Sequence, residues 1–196
     1  MKIIYIMGKS SSGKDTIYQK LKEKLDVNTY IMYTTRPIRE GEKEGINYHY
    51  VSNEKMQQYI EGKEKDKIIE YRTYQTVYGP WIYATIADEQ FKTNKDLIML
   101  GTLESYEKMK KYFEKELIPI YIEVEDGLRL ERAIKREKEQ KEPKYTELCR
   151  RFLADSKDFS EENLKKAGIK KRFQNIDLNT CLNEILREIK LRLNKK

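Results

Sequence analysis

Lys2-Ile3-Ile4-Tyr5-Ile6-Met7-Gly8-Lys9-Ser10-Ser11-Ser12-Gly13-Lys14-Asp15-Thr16 fixes the class of fold to be expected of this chain. Ile3 to Met7 is an unbroken apolar run, as expected of a short strand buried on both faces, and Gly8 ends it. Beyond Lys14, the residues Ile17, Leu21 and Leu25 recur every four positions, the spacing of a helix with one apolar side. Strand, glycine-rich turn and helix, in that order, make a cradle for an anion. The glycines let several backbone N–H groups converge, and the helix adds its positive end. Lys14 is placed to reach the β- and γ-phosphates of a nucleotide as a point charge. The segment fits G-x-x-x-x-G-K-S/T except at its last place, where Asp15 precedes Thr16. In that pattern the last residue ligates magnesium, so Asp15 and Thr16 are both candidate metal ligands. The expected ATP-binding set is therefore Gly8, Ser10, Ser11, Ser12, Gly13, Lys14, Asp15 and Thr16.

Further along the chain, residues 97–100 and 118–124 are apolar runs, and 104–113 between them has helical spacing. This alternation predicts a parallel sheet covered by helices on both faces. The segment from Tyr30 to Gln90 has a different texture, with short strand-like pieces, turns at Glu40-Gly41 and Glu44-Gly45, and one helix over 53–60 closed by Gly62. It reads as a small mixed insertion. From Asp126 to Asp158 the chain is charged and helical, broken at Pro143. Ser160 is placed to cap a short helix ending at Gly168. Residues 172–178 are expected as a last strand, and Leu182, Ile185, Leu186, Ile189 and Leu193 as the apolar stripe of a closing helix.

The 196 residues carry 38% hydrophobic and 37% charged side chains, enough apolar material for one core under a lysine- and glutamate-rich surface. No stretch approaches the roughly 18 apolar residues needed to span a bilayer, and the opening run is too short for a signal peptide. Cys149 and Cys181 stand alone, outside metal-ligand spacing, which suggests a reduced, cytoplasmic protein. The net charge of +7 favours anionic partners, but acids interleave with bases through 135–144 and 161–166. That pattern is a solvated face rather than a nucleic-acid surface, so no nucleic-acid or membrane partner is expected.

A second constellation narrows the anion. Thr34-Thr35-Arg36-Pro37-Ile38-Arg39-Glu40-Gly41-Glu42, followed by Gly45-Ile46-Asn47-Tyr48-His49-Tyr50-Val51-Ser52, sets two arginines three apart beside glycines, with a tyrosine nine residues on. Arginine forks bind phosphate oxygens in pairs, and a tyrosine hydroxyl adds a neutral donor. His49 is the only histidine, and its place between two tyrosines in a strand-like stretch suits a structural role.

From Lys2 to about Arg192 the chain resembles the guanylate kinase family, whose T-T-R-x-x-R-x-G-E…G-x-D-Y-x-F-V-S signature this second stretch follows. The resemblance implies an α/β P-loop NTPase fold: a parallel sheet flanked by helices, a small mixed α/β acceptor-binding insertion and a helical lid. It implies one domain over 1–196, with the core in 1–31, 91–125 and 160–196, the acceptor-binding region in 32–90 and the lid in 126–159. It implies an ATP- and magnesium-dependent phosphotransferase whose small-molecule acceptor is a nucleoside monophosphate. Arg36, Arg39, Tyr48 and Tyr78 would hold the acceptor phosphate, and Glu70 would hydrogen-bond the base. Lys14, Arg132, Arg136 and Arg151 would act on the transferring phosphates, the three arginines closing over ATP from the lid. Asn175 would lie at the adenine end.

The departures from that family share a direction. Met32 stands where the family has a serine, Pro80 where it has serine or threonine, and Ile98-Met99-Leu100-Gly101-Thr102 where its strand ends D-I/V-D. Phosphate-holding groups are kept and three of four guanine-reading groups are replaced, with Glu104 the nearby carboxylate in sequence. A site stripped of hydrogen-bonding groups discriminates less between bases. Discrimination for guanine is therefore not expected to be kept: the expected acceptor is a nucleoside monophosphate, guanosine monophosphate, its deoxy form or a related nucleotide, with another phosphorylated acceptor such as ribose bisphosphate as the alternative. The alternative class is a non-catalytic binding module of the same fold.

Overall fold

A computed structural model describes residues 1–76 and 79–194. Five strands form one parallel sheet: β1 (Ile3–Met7), β2 (Asn28–Thr29), β7 (Leu97–Leu100), β8 (Leu117–Glu123) and β9 (Arg172–Gln174), in the order β2-β7-β1-β8-β9. The central strand β1 is buried along its whole length because period-2 alternation sends its side chains into two cores. Ile3, Tyr5 and Met7 pack with α3 (Leu103–Phe113) and α6 (Glu161–Ala167), through Tyr106, Met109 and Leu164. Ile4 and Ile6 pack with α1 (Lys14–Lys24) and α7 (Leu178–Leu193), through Ile17, Leu21, Ile185 and Ile189. The sheet is thus covered on both faces.

The expected strand over 172–178 ends at Gln174. Asp177 turns instead to cap α7, its carboxylate accepting from the Thr180 N–H at 2.8 Å. An N-cap needs extended backbone followed by helix, so the strand stops before it.

A second sheet of four strands, in the order β4-β3-β6-β5, contains β3 (Tyr33–Thr34), β4 (His49–Tyr50), β5 (Ile68–Thr76) and β6 (Gly79–Ile86). One face packs on α2 (Asn53–Ile60) through Met56, Tyr59, Ile82, Ala84 and Ile86. On the other face the antiparallel register lines up Glu70 with Thr85, Arg72 with Tyr83 and Tyr74 with Trp81. Cross-strand partners share a face, so a polar and aromatic surface is turned to the side opposite α2. His49 sits on the α2 side, its ring 4.7 Å from that of Tyr33 and its Nδ1 2.9 Å from Glu44 Oε1. Two further helices, α4 (Asp126–Lys138) and α5 (Tyr145–Asp158), flank the break at Pro143 and lie over the phosphate loop. No helix among the described residues is long and apolar enough to cross a membrane.

Candidate active site

The loop between β1 and α1 is built around close approaches that only glycine permits. A Cβ on Gly8 would come within 2.5 Å of the Ile122 carbonyl, and one on Gly13 within 2.3 Å of Asn175 Nδ2. Gly13 also takes φ +81°, the left-handed region, as the N-cap of α1. Asn175 donates from Nδ2 to the Ser12 carbonyl at 2.8 Å and so braces the loop from behind. Ser12 Oγ is buried and lacks a hydrogen-bond partner, as expected of a donor reserved for a ligand. Lys14 Nζ lies 3.6 Å from Asp15 Oδ2, and Asp15 and Thr16 are both exposed on the first turn of α1.

Helices α4 and α5 close over this loop. Arg136 donates to Ser11 Oγ at 3.3 Å, and Arg132 to the Asn175 carbonyl at 3.0 Å. Arg151 lies with Arg136, Ser10 and Ser11 around a space of only about 10 Å³, room for roughly one water. Its Nε is buried without a hydrogen-bond partner, with Glu147 Oε1 3.6 Å away. Two residues that the sequence pattern does not single out tie the closure together. Arg129, 1% exposed, lies over the Phe152 ring and pairs with Asp126 at 3.0 Å and Asp155 at 3.4 Å. Asp155 Oδ2 also accepts from the Ser10 amide at 2.7 Å.

Beside the loop, a cleft of about 470 Å³ opens onto the polar face of the four-stranded sheet. Lys14 and Asp15 form one wall, Met32, Tyr48, Arg72, Tyr74, Trp81 and Tyr83 another, and Gly101 and Thr102 the floor beyond β7. Glu147 and Arg150 of α5 reach its mouth. Among the groups expected to hold phosphate, Arg36 is buried, follows β3, and stacks on the rings of Tyr48 and Tyr50. Its partner is Glu42, 2.7 Å from Nη2, a role that the sequence alone does not assign. Glu42 also accepts from the Arg39 amide and the Tyr50 hydroxyl, each at 2.8 Å. The hydrogen bond from Arg36 draws the Glu42 carboxyl down to about 2. Burial opposes the charge of Arg36, yet Glu42 and Tyr83 together hold the guanidinium above its ordinary range. Burial likewise pushes the Tyr48 phenol upward, so it stays a neutral donor. Arg39 is exposed on the turn and Tyr78 lies outside the described residues.

The carboxylate expected to read a base is placed differently. Glu70 is fully occluded and does not line the cleft; Thr85 Oγ1 donates to its Oε1 at 2.9 Å. Arg72 stands between Glu70 and the cleft, 3.7 Å from the carboxylate. Period-2 alternation in β5 is the signal for it, since Glu70, Arg72 and Tyr74 must share a face. Glu104 pairs with Lys108 at 2.8 Å instead of turning to the loop.

The guanylate kinase family model matches residues 1–189 of this chain. The chain belongs to the guanylate kinase family. It is similar to the guanylate kinase of Prochlorococcus marinus (strain MIT 9312), 32% identical over 83% of this chain and 84% of that one. It is also similar to the guanylate kinase of Campylobacter jejuni (strain RM1221), 29% identical over 68% of this chain. That match spans 65% of the Campylobacter protein, just under two thirds of its length. The fold is shared with the crystal structure of guanylate kinase from Anaplasma phagocytophilum, with a TM-score of 0.67 at 16% identity over 100% of this chain and 88% of that chain. The parallel sheet between helices is that of an α/β P-loop NTPase of the guanylate kinase family, as the resemblance implied.

Proposed function

We propose that this protein transfers the γ-phosphoryl group of ATP to a nucleoside monophosphate, with guanosine monophosphate or its deoxy form as the family acceptor. The observation that carries this reading is the shared cleft. Lys14 of the phosphate loop and Tyr48 beside Arg36 line one continuous space, so a donor phosphate and an acceptor phosphate meet there. In-line transfer between two anions needs positioning and charge dispersal more than covalent chemistry from the protein.

In this reading the loop amides and Ser12 Oγ hold the β- and γ-phosphates, and Lys14 spreads the charge that builds during transfer. Arg36, Arg39, Tyr48 and Tyr78 hold the acceptor phosphate. Arg132, Arg136 and Arg151 approach from the lid, residues 126–159, while Asn175 borders the adenine end. Arg136 and Arg151 of the lid lie beside Ser10 and Ser11, where a lid held over bound phosphates would exclude water. Residues 32–90 serve as the acceptor-binding region of a single domain. An acceptor phosphate oxygen is already ionised, so no general base is required. Magnesium, when bound, neutralises charge on the transferring phosphates, and Asp15 and Thr16 are the side chains that would hold it. No cluster of three His, Cys, Asp or Glu exists among the described residues.

The test is ADP release with ATP and magnesium across guanosine, uridine, cytidine and adenosine monophosphates and ribose 5-phosphate. Turnover with at least one nucleotide and loss of it in Lys14→Met supports the reading. No turnover with any acceptor, together with no ATP binding, would move the protein to the non-catalytic class.

A further inference from the structure

We propose that Arg72 is the specificity-determining residue of the acceptor cleft, and that it selects a nucleotide whose base turns a ring carbonyl oxygen towards it. The inference deepens the phosphoacceptor reading and rests on it. Arg72 is only 5% exposed, yet it lines the cleft, between Met32 and Thr102. A guanidinium carries five N–H donors and cannot deprotonate. Here those donors find Thr102 Oγ1 at 3.3 Å, the Met32 thioether at 3.9 Å and Glu70 Oε1 at 3.7 Å, with the Tyr5 hydroxyl also beside the guanidinium, while Nε has no hydrogen-bond partner. These are long or weak contacts for a buried cation. Such a group stays costly until something in the cleft supplies a better acceptor.

What that acceptor is follows from the surroundings. Glu70 is fully buried behind Arg72 with Oε2 also unpartnered, so the pair is already neutral overall. A second phosphate placed here would meet a neutralised cation backed by a buried carboxylate, which disfavours sugar bisphosphates. A neutral carbonyl oxygen takes the guanidinium donors without adding charge. The remaining walls, Tyr74, Trp81, Tyr83 and Met32, are aromatic or apolar and suit a planar ring. With its phosphate near Arg36, a nucleotide would carry its ring over these side chains towards Arg72. Uracil, thymine, guanine and cytosine bear a ring carbonyl, and adenine bears none. Arg72, and not Glu70, is thus the group that reads the base.

Trp81 is the sole tryptophan and lines the cleft, so its fluorescence reports acceptor binding without requiring turnover. The wild-type protein is titrated with the monophosphates of guanosine, uridine and adenosine, and with ribose 5-phosphate. Guanosine or uridine monophosphate should bind at least about tenfold tighter than adenosine monophosphate and ribose 5-phosphate, because a stranded buried donor penalises the wrong ligand. Arg72→Met should erase that ratio while leaving ATP affinity unchanged. Glu70→Gln should keep it, which separates reading by Arg72 from reading by Glu70. Equal binding of all four ligands by the wild type overturns the inference, as does a ratio that survives Arg72→Met. Should Arg72→Met fail to fold, loss of the ratio in Glu70→Gln overturns it, and retention supports it. Selective binding without turnover would contradict the kinase reading and leave the role of Arg72 standing. Turnover without base selectivity would do the reverse.

Discussion

Asp155 on α5 accepts a hydrogen bond from the Ser10 backbone amide at 2.7 Å, so a lid carboxylate occupies a donor of the phosphate loop. The same oxygen lies 3.4 Å from Arg129, which in turn donates to the Ser10 carbonyl at 3.3 Å. The loop is thus held partly by an internal anion, with which a phosphate bound as proposed would compete. Asp155→Asn removes that charge and weakens the contact. A charge-assisted hydrogen bond contributes about 1.5–3 kcal/mol. We predict ATP affinity raised by about threefold to tenfold, read by calorimetric titration.

Lys14 supplies a flexible point charge at the junction of loop and cleft. Its replacement by methionine keeps most of the side-chain volume and removes the charge. Deleting one preorganised transition-state donor costs about 10²–10³ in kcat. The expected result is a fall of that size in turnover with the melting temperature little changed, checked by steady-state kinetics and thermal unfolding on the same sample.

Glu42 organises the acceptor-phosphate end through Arg36, Tyr50 and the Arg39 amide. Its carboxyl titrates at about 2 in the folded protein, below its ordinary value of 4.5. The stabilisation is therefore fully present above about pH 4.5 and is lost as pH falls through about 2. Glu42→Gln leaves buried Arg36 without its counter-charge and should destabilise the fold by about 1–3 kcal/mol at neutral pH. The gap between wild type and variant, measured by urea unfolding, should narrow from pH 4.5 to pH 2. The KM for the acceptor should rise more than that for ATP.

Gly13 carries two separable constraints: a positive φ, and Asn175 Nδ2 only 2.3 Å from the point that a Cβ would occupy. Gly13→Ala should destabilise by the roughly 1–2 kcal/mol of a left-handed L-residue plus the displacement of Asn175. Asn175→Gly in the same chain should recover the second part and not the first, a non-additivity that a double-mutant cycle of chemical denaturation measures.

Much of the core was legible because its signals are local. Ile3–Met7 and the fourfold spacing of Ile17 and Leu21 are consequences of burial on known periods, and Ser160 and Gly168 mark their helix by cap chemistry. The four-stranded sheet was not legible in the same way. Its strands β3 and β4 are two residues long, too short for any alternation to stand out. Their pairing depends on long-range register. Arg72 was legible only in part: alternation along β5 puts it on the face of Glu70, but that this face turns to the cleft follows from the pairing with β6. Asp155 and Arg129 were hidden among the charges of the lid. A charged helix face reads as solvated until its neighbour is known. Tyr78, expected from the family motif to touch phosphate, lies outside the described residues.

Phosphoryl transfer is followed most directly by tracking the group itself. The protein is incubated with γ-³²P-labelled ATP, magnesium and guanosine monophosphate, and the products are separated. A kinase with this cleft should place label in the β-position of guanosine diphosphate, formed in step with ADP and absent in Lys14→Met. Label found only as inorganic phosphate, or remaining in ATP with every nucleoside monophosphate supplied, would rule out transfer between the two phosphate sites.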